Sequence, residues 1–167
     1  VSARRTLVLG WGNPGRRDDG LGPALAAALS GAEATGVTVE SDYQLQPEDA
    51  AELARHEEVL FVDAARAGAE PFEVRRLGAA AAGGSFTSHS VSPGQLLAIA
   101  RDLFGARPRA WLLGIRGYEF DEFGEGLSPR ASANLAVAAD CVRRALARAG
   151  GLGTLRPPAP RSPTTRP

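Results

Sequence analysis

Hydrophobic and polar positions change period several times along the 167 residues. Residues 5–10, RTLVLG, are a short leucine and valine run ending at Gly10, the pattern of a strand buried on both faces. A glycine turn follows, and the alanine-leucine run from Pro23 to Leu29, stopped by Gly31, reads as a helix. Residues 37–43, VTVESDY, alternate as a strand. Pro47 then opens PEDAAELARH, a helix whose early acids and late Arg55 suit the helix dipole. EVLFVDA, apolar without interruption from Val59 to Val62, has the character of a strand in the middle of a parallel sheet.

FEVRRL, residues 72–77, alternates as an edge strand, and LGAAAAGGSFTSHS has no clear period and reads as a loop. Ser92-Pro93-Gly94-Gln95 is a capping-box pattern with proline at the first helical position, which predicts a helix from about Pro93 to Phe104. RAWLLGI (109–115) is the last strand, the acidic loop RGYEFDEFGEG follows it, and Ser128 with Pro129 caps a long amphipathic helix to about Ala149. Strands alternating with helices predict an α/β fold. It is a single-domain three-layer α/β/α sandwich with a mostly parallel five-stranded twisted sheet, in which one strand can run reversed. Residues 1–149 form this domain, and residues 150–167, GGLGTLRPPAPRSPTTRP, read as a proline-rich disordered tail.

Charge and composition narrow the function. Nineteen basic residues balance nineteen acidic ones, so the electrostatic footprint of a nucleic-acid binder is missing. Every basic residue is arginine, which excludes Schiff-base chemistry, a lysine general base and a Walker-type phosphate lysine. The lone Cys141 excludes an intramolecular disulfide and a cysteine-rich zinc site and suits a reducing, cytoplasmic setting. The opening residues are too poor in apolar positions for a signal peptide, and no stretch approaches the roughly 20 apolar residues of a membrane helix.

In open α/β sheets ligands bind beyond the carboxyl ends of the strands. Asp18 and Asp19 follow the first strand, Asp63 ends the third, and His89 lies in the loop before the third helix of the capping-box stretch. Two carboxylates and one imidazole suit a borderline divalent ion such as nickel or zinc, with positions left for water or substrate. The plainer reading is that such acids cap helices or accept turn amides. Of the two adjacent acids, one is expected to satisfy backbone amides and the other to face the crevice; spacing leaves open which.

For Gly10, Gly12, Asn13 and Gly15 the plain reading is a tight turn with close helix packing. The dinucleotide fingerprint is broken here, and Pro14 removes an amide donor from any phosphate cradle. Ser88, His89 and Asp63 invite a hydrolase triad, but neighbours on an extended segment point in opposite directions, and there is no G-x-S-x-G elbow. His56 reads as a helix-end group, Cys141 as core, and Glu119, Asp121, Glu122 and Glu125 as a solvated loop or a partner contact.

Taken in order, LGWGNPGRRDDGLG, FVDA, TSHSVSP and LLGIRGYEFDEFGEGLSP resemble the hydrogenase maturation endopeptidase family over about residues 5–149. The resemblance implies an enzyme that removes a C-terminal extension from the large-subunit precursor of a nickel-iron hydrogenase after nickel insertion. The nickel carried by the precursor would be the recognition element, with zinc or cadmium able to replace it in vitro. Carried over, Asp19 and Asp63 match the metal-contacting acids and His89 the histidine, and these three would carry the catalysis. Asp18, Gly12 and Asn13 would support the site. Many members have glutamate where Asp19 stands, and one branch places its histidine where this chain has Gly94. The partner implied is the precursor, bound transiently by a chain that is monomeric on its own, with no nucleic acid or membrane involved. A non-catalytic metal-recognising assembly chaperone is the alternative. VLGWGNPG also resembles the opening of peptidyl-tRNA hydrolases, whose histidine after the turn is replaced here by Arg16, Arg17, Asp18 and Asp19.

Overall fold

The structure is a computed structural model and describes residues 4–31, 34–80 and 91–159. Five strands, β1 (Thr6–Trp11), β2 (Val37–Asp42), β3 (Glu58–Ala65), β4 (Phe72–Leu77) and β5 (Arg109–Arg116), form one sheet in the order β2-β1-β3-β5-β4. All neighbours run parallel except β4, which lies antiparallel on β5. The uninterrupted apolar strands β1 and β3 are interior, and the alternating FEVRRL is an edge, as the pattern predicts.

Successive residues of β1 go to opposite faces, so Val8 joins one core and Leu7 and Leu9 the other. The first core, with Leu60, Val62, Leu113 and Ile115, is covered by α1 (Leu21–Leu29) and α4 (Pro129–Ala147). The second, with Val59 and Phe61, is covered by α2 (Asp49–Leu53) and α3 (Pro93–Phe104). This is the three-layer sandwich the element order predicts. At α3 both capping-box bonds form: Gln95 N–H donates to Ser92 Oγ at 3.2 Å and Ser92 N–H to Gln95 Oε1 at 2.8 Å.

Three boundaries differ from expectation. The first helix starts at Leu21 rather than Pro23, because a 3-10 turn over Arg17–Gly20 feeds directly into it. α2 is shorter than predicted: Arg55 and His56 donate to the carbonyls of Glu52 and Leu53, three residues back, so the helix tightens and stops. The third difference corrects the expected tail. Gly151–Thr154 is a 3-10 turn, and Leu152 and Leu155 are buried in the α1/α4 core. Leu152 N–H donates to Glu58 Oε2 at 3.2 Å, and the buried Glu58 carboxylate also accepts from Arg109 at 2.6 Å. Residues 160–167 lie outside the described part of the chain.

Leu152→Ala is expected to cost about 2–5 kcal/mol in urea denaturation, the usual loss for a fully buried leucine. A change near zero would return residues 150–155 to a peripheral tail.

Candidate active site at the carboxyl edge of the sheet

The β1–α1 connection is built on backbone close approach. A Cβ on Gly10 would lie 2.3 Å from the Gly22 carbonyl oxygen, and one on Gly22 would lie 2.3 Å from the Trp11 oxygen and 2.7 Å from that of Val62. Only glycines allow α1 to start this tightly against the ends of β1 and β3. Gly12 is left-handed at φ 144, and a Cβ there would collide with the Asp19 carbonyl oxygen at 2.0 Å. Asn13 shapes the next step: its Oδ1 accepts from Gly15 N–H at 2.9 Å, and its own N–H donates to Asp19 Oδ2 at 2.9 Å.

The two adjacent acids divide as expected, and the structure says which does what. Asp18 is fully buried. Its carboxylate accepts from Tyr118 N–H at 2.7 Å, Glu119 N–H at 2.9 Å, Ser128 N–H at 2.7 Å and Ser128 Oγ–H at 2.7 Å. Burial pushes its pKa up, but the hydrogen bonds from Glu119, Ser128 and Tyr118 outweigh that and hold it below the ordinary value. The amides it satisfies belong to the loop after β5 and the start of α4, not to its own helix.

Asp19, half-buried, stands beside Asp63 at the end of β3. Asp63 Oδ1 accepts from Ala64 N–H at 2.8 Å. Burial pushes the Asp63 carboxyl up, the Ala64 amide offsets part of this, and the Asp19 charge adds to it, leaving a pKa of about 6. Each acid thus spends one oxygen on a backbone amide, and the other makes no hydrogen bond among the described residues. Two like charges sharing a half-buried crevice, each with a free oxygen, form a donor pair that a divalent cation relieves.

His89 and Ser88 lie outside the described residues, so the third predicted ligand is not placed. Among the described residues no cluster of three His, Cys, Asp or Glu side chains could hold a metal. His56 is not part of this edge: it follows α2 at the amino end of β3, with Nδ1 2.8 Å from the Glu52 carbonyl and Nε2 3.1 Å from Thr38 Oγ1. Cys141 packs against the core, and Glu119, Asp121, Glu122 and Glu125 are exposed.

Sequence reading missed Ser128 as part of the site. Recognised as the α4 cap, its hydroxyl accepts from Ala131 N–H at 3.3 Å while donating to Asp18. Also missed is a lock beside it, in which Tyr118 hydrogen-bonds Glu70 and accepts from Asn134 Nδ2 at 2.9 Å, with the Arg130 guanidinium 4.1 Å from its ring. No local pattern announces either contact, since their partners lie far apart in sequence.

No family model matches the sequence, and no curated protein does. Solved structures do match. The chain is similar to the NiFe hydrogenase maturation protease HycI from Thermococcus kodakarensis KOD1, with a TM-score of 0.65 and 20% identity over 84% of this chain and 91% of that one. It is similar to the hydrogenase maturating endopeptidase HybD from E. coli, with a TM-score of 0.66 and 21% identity over 85% and 91% of the two chains. It is also similar to a hydrogenase 2 maturation peptidase from Thaumarchaeota archaeon SCGC_AB-539-E09, with a TM-score of 0.63 and 24% identity over 86% and 98%. At these identities the likeness establishes a shared α/β fold. No helix among the described residues is long and apolar enough to cross a membrane.

Opposite pH signatures are expected for the two kinds of acid. Asp18→Asn removes an acceptor oxygen from a site with four donors and should cost about 2–4 kcal/mol at pH 7. Because the Asp18 pKa is lowered on folding, its contribution is present above the unfolded value and lost as pH falls through the folded one, so this deficit shrinks in acid. Asp63 has a raised pKa, so the wild type loses stability as pH rises from about 4 to about 6 and stays lower above. Asp63→Asn should therefore gain about 1–3 kcal/mol at pH 7, a gain that vanishes near pH 4. Urea denaturation of both variants across pH 3–8 measures this; matching profiles would refute the division of roles.

Proposed function

We propose that this protein is an endopeptidase that removes the C-terminal extension of a nickel-iron hydrogenase large-subunit precursor, using the nickel already in that precursor for recognition. The observation that carries the reading is the Asp19 and Asp63 pair, held at the carboxyl edge of the sheet in the fold of solved hydrogenase maturation proteases. Among the described residues the site offers two carboxylates on a half-buried edge, which suits a cation that arrives with a partner and leaves with it.

Nickel belongs here to the substrate. His89, which precedes α3 in sequence, is proposed as the third contact beside Asp19 and Asp63. When bound, the cation would polarise the scissile carbonyl and neutralise the paired acids. This chain's own groups do the rest. The Asn13 amide fixes one Asp19 oxygen and so the direction of the other; the Ala64 amide does the same for Asp63. A carboxylate oxygen of the pair not engaged by the cation would accept the proton of the attacking water. Holding the precursor's metal and its scissile segment on one rigid edge makes the cleavage a positioned reaction.

Incubating purified precursor with this protein, with and without nickel loaded, and weighing the products by mass spectrometry tests the reading. Loss of a C-terminal peptide only from the nickel-loaded precursor is expected. No loss under either condition sinks the protease assignment and leaves the chaperone. Asp19→Asn and His89→Ala should each slow cleavage about 100-fold or more while the thermal midpoint stays within a few degrees, since a crevice donor contributes chemistry rather than packing. Unchanged cleavage by His89→Ala moves the third contact elsewhere.

A further inference from the structure

On the outer side of the turn that carries Asp19 lies a groove of about 340 Å³, lined by Pro14, Arg17, Gly20, Pro23, Ala24, Ala27, Gly126 and Leu127. Its lining is apolar with one charge, the Arg17 guanidinium, and contains no acidic side chain. That volume is in the range of pockets that anchor small ligands or a few peptide residues.

Arg17 is an unexpected residue for its place. Its backbone is left-handed at φ 50, a conformation that disfavours a side chain, and among the described residues it is the one non-glycine residue with positive φ. The guanidinium lies against Gly124, where a Cβ would come within 3.0 Å of Arg17 Nε and 3.1 Å of Cζ. One Nη donates to the Glu125 carbonyl at 3.1 Å, and the buried Nε has no partner among the described residues. An arginine kept at a strained position, whose second Nη is not buried and makes no hydrogen bond among the described residues, in a groove otherwise apolar, is complementary to a carboxylate carried on an apolar segment.

Resting on the reading above, we infer that this groove docks the precursor segment next to the scissile bond, gripping an apolar side chain against Pro23, Ala24 and Ala27 and an acidic side chain of that segment against Arg17. Continuity with the site supports this occupant. Arg17 and Gly20 bracket Asp19 in one 3-10 turn, and from Gly20 to Ala27 the helix advances about 10 Å, the length of roughly three extended residues. A chain lying in the groove therefore reaches Asp19 within a few residues. A second copy of this protein fits less well, because a stable dimer buries about 800 Å² on each side, far more than this groove offers.

Two variants probe the groove by different means: Arg17→Gln removes the charge, and Ala27→Trp, at an exposed position of α1, fills the groove while leaving all charges in place. The nickel-loaded precursor is the probe, with its binding measured by biolayer interferometry and its cleavage by mass spectrometry. Both variants should raise Kd and KM about 10-fold or more with the loss falling on KM rather than kcat, and both should keep a thermal midpoint near that of the wild type. Replacing the precursor's acidic residue near the scissile bond by its amide should weaken binding to the wild type and not further weaken binding to Arg17→Gln. Wild-type Kd and KM in both folded variants overturn the groove and leave the protease standing. Binding that depends on the groove without any cleavage keeps the groove and sinks the protease, and no binding by the wild-type chain overturns both.

Discussion

One buried carboxylate holds the functional edge of this molecule together. Asp18 joins the turn after β1, the loop after β5 and the first turn of α4 through four hydrogen bonds. A buried acid without such partners would cost several kcal/mol, so the three segments must come together as one unit or not at all. Ser128 extends the unit by passing a second bond to Ala131 and so tying the cap of α4 to the same carboxylate. What looks in sequence like a loop with acids in it is thereby a fixed platform. Asp19, the next residue, takes its position from this anchor.

The opposite fates of two neighbouring acids follow from local geometry. Both sit in a 3-10 turn, where successive side chains are about 120° apart, so when Asp18 faces the interior Asp19 must face away from it. The close backbone approaches of Gly10 and Gly22 then bring that turn against the end of β3, where Gly10 lies opposite Val62 and the next residue is Asp63. The pairing of Asp19 with Asp63 is thus a consequence of sheet register, glycine packing and turn pitch together.

Much of this was legible in the chain. Uninterrupted apolar runs marked interior strands, FEVRRL marked an edge, and the Ser-Pro starts of α3 and α4 were visible as caps because helix starts depend on nearby residues. The meeting of Asp19 with Asp63 at the carboxyl edge was legible too, since Asp19 follows β1 and Asp63 stands near the end of β3. Features that depend on distant partners were not. Nothing near Asp18 foretells that it accepts from residues about a hundred positions away, and Leu152 and Leu155, isolated among glycines and prolines, have too little periodicity to reveal a buried turn. Arg17 was read only as a residue standing where another family has its histidine, because a left-handed backbone leaves no mark in a single sequence.

The proposed role of the edge is to meet a cation carried by a partner rather than to house one of its own. A resident metal is usually enclosed by three or four donors that fold around it, and its loss unravels the site. Here each paired acid is restrained by one backbone amide, and the turn is braced from behind by Asp18. The cost is chiefly the burial of the Asp63 carboxylate, to which the Asp19 charge adds. Under the proposed function a cation entering the edge would relieve both contributions, so that free energy would go to the encounter with a metal-bearing partner rather than to the stability of the isolated chain. That proposal makes a pair of acids, each fixed by one backbone amide, suited to recognising a metal that another protein brings.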